Sequence, residues 1–116
     1  MLVNFSKMHG IGNDYVVINE LKQETGISSQ PEKIQGICRR HIGVGADGVL
    51  LILPSENADF RMRMFNPDGT EAEMCGNGIR CFAKYVFDNK LTDKTEFEIQ
   101  TKAGNKKVTL EIDQIT

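Results

Sequence analysis

Alternating apolar and polar residues predict most of the elements along this 116-residue chain. Asp59–Phe65 sets Phe60, Met62 and Met64 against two arginines, which predicts a half-buried strand. Val49–Leu53 is apolar and rich in β-formers, which predicts a strand buried on both faces. We expect further strands at Leu2–Lys7, Tyr15–Asn19, Thr95–Thr101 and Lys106–Ile112, with a glycine-rich loop over Met8–Asp14 and a hairpin around Ala103–Asn105.

Two helices are predicted from apolar residues at helical spacing. The first starts after hydroxyl caps at Ser28 and Ser29, has Pro31 in its first turn and stops at Gly43; its apolar residues are Ile34, Ile37, Cys38 and Ile42. The second follows Gly78 and stops at Asn89; its apolar stripe is Ile79, Phe82, Ala83, Val86 and Phe87. About six strands with prominent hairpins, together with two helices, predict an α+β domain.

Composition and charge limit the partners and the cellular location that we expect. A net charge of −2 gives no reason to expect nucleic acid or an anionic membrane as a partner. The longest apolar run, Val49–Leu53, is far shorter than the ~18 residues of a membrane span. The first residues lack the basic-then-apolar layout of a signal peptide, so we expect a cytoplasmic location. In that reducing compartment the three cysteines are expected to be thiols.

A glycine pattern at Gly43–Gly48 matches the dinucleotide-binding motif G-x-G-x-x-G. That motif requires a strand before it and a helix after it, whereas here a predicted helix leads in and a strand leads out. We therefore interpret the segment as a helix stop and a turn into Val49–Leu53. The order leaves open a ligand contact through backbone amides.

A zinc site is a second alternative, with Cys38, His41, Cys75 and Cys81 as candidate ligands. Zinc-binding cysteines are usually two to four residues apart, and Cys75 and Cys81 do not follow that spacing. Cys38 and Cys81 also lie on the apolar faces of their predicted helices. We interpret both as small core residues and expect no metal, with a zinc-stabilised structural domain as the alternative.

Cys75 differs from the other two cysteines because it lies in Met74-Cys75-Gly76-Asn77-Gly78, just before the second helix. Free N–H groups and the dipole at a helix start favour an anion, which lowers the pKa of a thiol placed there. The glycines would let a ligand approach the backbone. Glu71 and Glu73 would have the opposite effect on the pKa if they faced the thiol. These residues favour a functional thiol and leave a structural one open.

Taken together, three segments resemble the diaminopimelate epimerase family: Phe5–Tyr15, Arg40–Gly48 and Phe65–Cys81. The match runs in order from residue 5 to about residue 90, and Met-Cys-Gly-Asn-Gly is its most specific part. The resemblance implies a curled, largely antiparallel sheet wrapped around a central helix. It also implies epimerisation of LL-diaminopimelate to meso-diaminopimelate without pyridoxal or any other cofactor, in lysine and peptidoglycan biosynthesis.

The resemblance assigns Cys75 as one of two catalytic cysteines, a thiolate and a thiol that exchange acid and base roles. It assigns Gly76 and Asn77 to the substrate's α-carboxylate and amine, and Asn13 and Asn66 to polar contacts from neighbouring loops. From the residues alone, Asn13 is interpreted as a turn residue, and Asn66 as the first residue of a turn predicted at Asn66-Pro67-Asp68-Gly69.

Two departures from the family qualify the resemblance. Gly48 stands where some members carry a glutamine, so any side-chain contact from that position is lost. Family members are also considerably longer, and their second cysteine lies in a second half. Cys81 cannot replace it, because six helical residues separate it from Cys75 by roughly 9 Å along the axis.

We therefore expect residues 1–116 to be the N-terminal domain of a two-domain epimerase, inactive without its C-terminal half. The site would lie in the cleft between the halves, and whether the protein forms a homodimer stays open. Two rival functions are a proline racemase-like enzyme and a binding module that holds an amino acid without chemistry.

Overall fold

The computed structural model describes residues 5–9, 13–39, 45–73 and 76–110. Within those ranges the chain forms seven strands, one 3-10 helix and two α-helices. Neither α-helix has the length or apolar character of a transmembrane segment. In chain order the elements are β1 (Ser6–His9), β2 (Asp14–Asn19), a 3-10 helix (Ile27–Ser29), α1 (Pro31–Cys38), β3 (Gly48–Leu53), β4 (Phe60–Phe65), β5 (Glu71–Ala72), α2 (Gly76–Asp88), β6 (Glu96–Thr101) and β7 (Gly104–Thr109).

The strands form one sheet in the order β1-β2-β3-β4-β6-β7, with the short β5 beside β4. Neighbouring strands are antiparallel except in two pairs, β2 with β3 and β4 with β6, which are parallel. Parallel partners require a crossover connection, and α1 and α2 lie in these two crossovers. The largely antiparallel sheet with two helices confirms the expected α+β class.

Each helix packs on a different face of the sheet, because side chains alternate along the strands. The α2 face includes Tyr15, Val17, Leu50 and Ile52, and every strand contributes at least one apolar side chain to the cluster around α2. The α1 face is built on Val16, Ile18, Val49, Leu51 and Phe65. The central strand β3 is therefore buried on both sides, as its apolar run predicted.

Helix α1 has different ends from those predicted. Ser28 and Ser29 lie in the 3-10 helix, Gln30 is the N-cap, and no side chain caps the helix. Pro31 lies in the first turn, as expected. The helix ends at Cys38 because Arg39 turns to an extended conformation, with φ −67° and ψ 128°. The predicted continuation through Ile42 to Gly43 was wrong at this point, and those two residues lie outside the described ranges.

Helix α2 begins at Gly76, three residues before the first residue of the predicted stripe, and ends at Asp88, next to the predicted stop. Its buried side is also rotated: Cys81, Phe82, Tyr85 and Val86 are buried, whereas Ile79 and Phe87 are half-buried. The predicted stripe thus covers only part of the helix–sheet contact. Ile79, Ala83 and Phe87 line an open groove of about 480 Å³ between α2 and β7, with Val108 and Leu110 on its other side, while Ala83 and Ile79 also contact the core cluster.

The bounds of the β1–β2 and β6–β7 hairpins differ from those predicted. In the first, Met8 and His9 belong to β1 and Asp14 to β2, so the expected loop over 8–14 was too long. Leu2–Asn4 and Gly10–Gly12 lie outside the described residues. In the second, Lys102 and Ala103 form the turn, and Gly104 pairs with Thr101 as the first residue of β7.

Candidate functional site at one end of the sheet

Strand register brings three of the predicted site residues to the same end of the sheet. Tyr15 pairs with Gly48, and Val49 pairs with Phe65, so β2 and β3 begin where β4 ends. Asn13 immediately precedes β2 and Asn66 immediately follows β4. Asn77, in the first turn of α2, lies beside Asn13. These residues are far apart in the sequence, and the pairing of the strands places them at one edge of the sheet.

The closest contact at this edge joins two of the predicted asparagines. Asn77 Nδ2 donates a hydrogen bond of 2.7 Å to Asn13 Oδ1. Both side chains are half-buried. The bond orients the two amides toward each other across the loop before β2 and the helix start. It gives Asn13 a specific partner 64 residues away, which a simple turn residue would lack.

The start of α2 is accessible. Gly76 is exposed, and among the described residues a Cβ added to it would meet no atom within 4 Å outside its own helix neighbourhood. The first N–H groups of a helix have no partners within the helix and, together with its dipole, favour an anion such as a carboxylate. This end of α2 therefore offers both space and hydrogen-bond donors.

Asn66 has a local partner. The turn predicted at Asn66–Gly69 is present, with the Gly69 N–H donating to Asn66 O at 2.9 Å. Asn66 Nδ2 donates to Thr70 Oγ1 at 3.1 Å. Asp68 accepts from both the N–H and the hydroxyl of Thr70, and these bonds lower the pKa of Asp68. Asn66 therefore lies at the same edge of the sheet as Asn13 and Asn77, and its side-chain amide donates a hydrogen bond within the turn.

Cys75 directly precedes α2 but lies outside the described residues, together with Met74. The other two cysteines are buried, at 6% exposure for Cys38 and 3% for Cys81, which confirms them as core residues. Cys38 belongs to the α1 face and Cys81 to the α2 face, so the sheet separates them. This placement contradicts a zinc site shared by Cys38 and Cys81. Among the described residues, no three Cys, His, Asp or Glu side chains converge as metal ligands.

Glu71 faces away from α2. Its neighbour Ala72 packs into the α2 cluster, so Glu71 points to the opposite face. There Arg63 holds it through two bonds, Nε to Oε2 at 3.0 Å and Nη2 to Oε1 at 2.9 Å. The bonds from Arg63 lower the pKa of Glu71, and those to Glu71 raise the pKa of Arg63. The sequence did not determine the direction in which Glu71 points. In the structure its carboxylate points to Arg63.

The glycine segment before β3 follows a helix and precedes a strand. This order confirms the prediction that the segment lacks the context of the dinucleotide-binding motif. The N–H of Gly45, at φ +80°, donates to Ile37 O, and that of Ala46 to Cys38 O, so both amides return to the end of α1. Gly48 opens β3 in a tight position: an added Cβ would lie 2.7 Å from Phe65 O. The backbone here excludes a glutamine at residue 48 unless the sheet shifts. Gly43 and Val44 lie outside the described residues.

Sequence reasoning missed Asp47, which lies at the same edge. Asp47 Oδ2 accepts from the N–H of Asp14 at 2.8 Å, and the Asp47 N–H donates to Asp14 O at 2.8 Å. These two bonds begin the parallel pairing of β2 and β3. An aspartate directly before a strand was the available signal, and Asp59 before β4 repeats it.

Comparison with solved structures identifies the fold class. A hydroxyproline epimerase from Agrobacterium vitis, solved with trans-4-hydroxy-L-proline, superposes with a TM-score of 0.68 at 16% identity, over 89% of this chain and 35% of that one. The chain therefore has the fold of proline racemase-like epimerases.

Comparison of sequences identifies the family. The diaminopimelate epimerase family model matches residues 5–116. The diaminopimelate epimerase of Agathobacter rectalis is 52% identical over 113 residues, which are 97% of this chain and 39% of that protein. The enzyme of the same name from Methanothermobacter thermautotrophicus is 53% identical over 114 residues, 97% of this chain and 40% of that protein. This chain belongs to the diaminopimelate epimerase family and spans about two fifths of the length of these relatives.

Proposed function

We propose that this chain carries one half of the active site of an enzyme that epimerises LL-diaminopimelate to meso-diaminopimelate. The observation that carries the proposal is the contact between Asn13 and Asn77 at the open start of α2, directly after Cys75, in a chain of this family. The reaction would belong to lysine and peptidoglycan biosynthesis. It would require neither pyridoxal nor another cofactor.

The chemistry requires a base on one face of the α-carbon and an acid on the other. The Cys75 thiolate takes the α-proton as the C–H bond breaks, and the electron pair stays on the substrate. A second thiol donates its proton to the opposite face, which inverts the centre and leaves that sulfur as the thiolate. In the reverse direction the two sulfurs exchange roles.

The start of α2 supplies the binding half of this mechanism. We assign the α-carboxylate and amine of the substrate to Gly76 and Asn77, with Asn13 and Asn66 as polar contacts beside them. Amide N–H groups at a helix start stabilise negative charge that develops on the carboxylate as the proton leaves. The same N–H groups favour the thiolate form of Cys75. Arg63 binds the Glu71 carboxylate on the face of the sheet opposite α2.

We assign the second thiol to a C-terminal half that follows residue 116, so residues 1–116 are the N-terminal domain and are inactive alone. The length of the relatives supports this assignment. Cys81 lies on the buried side of α2, in the core cluster, and does not supply the second sulfur. We place the reaction in the cytoplasm, where a reducing environment keeps both sulfurs available for proton transfer. We call this chain with that second half the full-length protein.

The test is incorporation of deuterium at the α-carbon of LL-diaminopimelate in D2O with a reductant, followed by NMR. Three samples are compared: this chain, the full-length protein, and the full-length protein with Cys75→Ala. We expect incorporation only in the unmodified full-length protein. L-Proline and hydroxyproline serve as competing substrates, and exchange of either in place of diaminopimelate would identify the racemase-like rival.

Binding of LL-diaminopimelate to the Cys75→Ala protein separates an enzyme from a binding module. We expect binding to persist while exchange stops, because the asparagines and the start of α2 remain. A full-length protein that binds the amino acid but exchanges no deuterium, with Cys75 intact and reduced, would contradict the epimerase proposal.

A further inference from the structure

The start of β2 is held by a carboxylate that the proposed mechanism does not use. Asp47 Oδ2 accepts from the Asp14 N–H, and the Asp47 N–H donates to Asp14 O, both at 2.8 Å. The carboxylate takes the place of a backbone carbonyl where the parallel ladder of β2 and β3 begins. We call this pair of bonds the Asp47 clasp.

The Asp47 clasp acts on the residue that contacts Asn77. The N–H of Asp14 belongs to the peptide group that links Asn13 to Asp14, and a peptide group is planar. Fixing this N–H therefore fixes the orientation of the backbone at the carbonyl end of Asn13. From that backbone Asn13 Oδ1 accepts the 2.7 Å bond of Asn77. We propose that Asp47 is a positioning residue that holds Asn13 in the orientation in which it binds Asn77 and, through it, the substrate.

A second copy of the same bonds provides an internal control. Asp59 directly precedes β4, its N–H donates to Glu98 O at 3.1 Å, and its Oδ2 accepts from the Glu98 N–H at 2.8 Å. This Asp59 clasp begins the other parallel pair, β4 with β6. Its second oxygen binds Lys94 Nζ at 2.6 Å rather than a residue of the proposed site. The two clasps thus share their backbone chemistry and differ in what lies beside them.

This inference rests on the proposed function, so the experiment has one readout that needs no activity. In the full-length protein with 15N-labelled asparagine, the Asn77 side-chain amide signal is assigned by its loss in Asn77→Asp. We expect Asp47→Ala to move that signal toward the position of a solvent-exposed amide and to speed its hydrogen exchange. Asp59→Ala should leave the signal in place. Asp47→Asn keeps an acceptor oxygen of the same reach and should restore it.

The second readout is the rate of epimerisation. Misplacement of a substrate-binding group lowers rate by up to about a hundredfold, so we expect Asp47→Ala to lower kcat/KM by about tenfold to a hundredfold. Asp47→Asn should recover most of the loss, and Asp59→Ala should leave kcat/KM unchanged. If Asp47→Ala does not fold, Asp47→Glu displaces the same carboxylate by one methylene group and should shift the Asn77 signal in the same way.

Two results would overturn the inference: an Asn77 signal that is unchanged when Asp47 is altered, or equal losses of kcat/KM in Asp47→Ala and Asp59→Ala. Failure of the proposed function is recognised separately. In that case the unmodified full-length protein exchanges no deuterium, while the Asn77 signal still reports whether the Asp47 clasp positions Asn13.

Discussion

Both helical crossovers of this sheet join a parallel strand pair that begins with an aspartate clasp. They differ in what surrounds the start of the helix. In the first crossover, from β2 through α1 to β3, the turn at Asn66–Gly69 contacts the start of α1, although the first three residues of that helix remain exposed. Pro31 opens that helix without an N–H, and the turn at Asn66–Gly69 packs on it so closely that a Cβ on Gly69 would lie 2.8 Å from Pro31 Cβ. Gln35 Nε2 adds a bond of 2.7 Å to Asp68 O.

In the second crossover, from β4 through α2 to β6, the start of the helix is left open. Gly76 is exposed and its surroundings would accept a side chain. Asn77 in the same turn binds Asn13. A helix start favours a ligand only where the chain leaves its N–H groups accessible. In the described structure Gly76 at the start of α2 has this access, whereas Pro31 at the start of α1 has no N–H and is contacted by the turn at Asn66–Gly69.

The largest expected effect concerns how α2 is held. Phe82 is fully buried, at 0% exposure, and packs edge-on against Phe60 with ring centroids 6.0 Å apart. We expect Phe82→Ala to lower the free energy of unfolding by about 3–5 kcal/mol, measured by urea denaturation of the full-length protein. Phe87→Ala is the control, because Phe87 lines the groove and is half-buried. Equal losses would contradict the rotated packing of α2.

The contact between the turn at Asn66–Gly69 and the start of α1 is tested at Gly69, whose φ is +92°. Gly69→Ala would strain the backbone and press a methyl group onto Pro31, so we expect a loss of about 1–3 kcal/mol. Gly36→Ala in α1 is the control, because its Cβ would meet no atom within 4 Å outside the helix. That change should stabilise the protein by about 0.5–1 kcal/mol through helix propensity. A Gly69→Ala protein as stable as Gly36→Ala would remove the contrast between the two helix starts.

The opening at α2 is tested at Gly76. Because the position has room for a methyl group, we expect Gly76→Ala to fold with undiminished stability. The added methyl group would stand where the proposed carboxylate approaches the backbone, so kcat/KM should fall by about tenfold. Unfolding curves and deuterium-exchange rates of the same preparation give both values. Unchanged exchange with unchanged stability would show that ligands do not approach α2 through Gly76.

The smallest expected effect is the pH dependence of the pair between Glu71 and Arg63. Arg63 lowers the pKa of Glu71 below its ordinary value of 4.5, so the pair stabilises the fold above pH 4.5 and loses this contribution as the pH falls through the lowered pKa. Glu71→Gln should therefore cost most near neutral pH and progressively less below pH 4.5. The pair is partly exposed, so we expect about 1 kcal/mol or less, measured by denaturation at several pH values.

Asp88→Asn is the matched change for an exposed pair, since Asp88 binds Lys84 on the surface of α2. We expect a smaller effect, about 0.3–0.5 kcal/mol. A Glu71→Gln protein whose loss does not shrink at low pH would contradict the lowered pKa of Glu71.

Local patterns predicted the elements whose signals are local. The buried run of β3, the alternation of β4 and the Asn-Pro-Asp-Gly turn were found where expected. The buried side of α2 was less predictable, because Phe87 is as apolar as Phe82 but faces the groove, and Ile79 lines the groove as well as packing against the core. Periodicity marks an apolar stripe without saying which part of it the sheet covers.

The candidate site depends on contacts that no local pattern contains. Asn13 and Asn77 were singled out through the family resemblance, and their hydrogen bond arises from the register of a sheet with two parallel pairs. Alternation does not reveal which strands pair or in which direction, so neither the parallel pairs nor the role of Asp47 was predicted. Cys75 was selected from its position before a helix, and α2 does begin at the next residue.

The most direct measurement maps where the substrate binds on this chain. LL-diaminopimelate is titrated into the full-length Cys75→Ala protein, in which no exchange should occur, and backbone and asparagine side-chain NMR signals are followed. The account predicts shifts at Gly76, Asn77 and the Asn13 amide, with Phe87 and Val108 in the groove unaffected. Shifts confined to the groove between α2 and β7, with Gly76 and Asn77 unchanged, would contradict it.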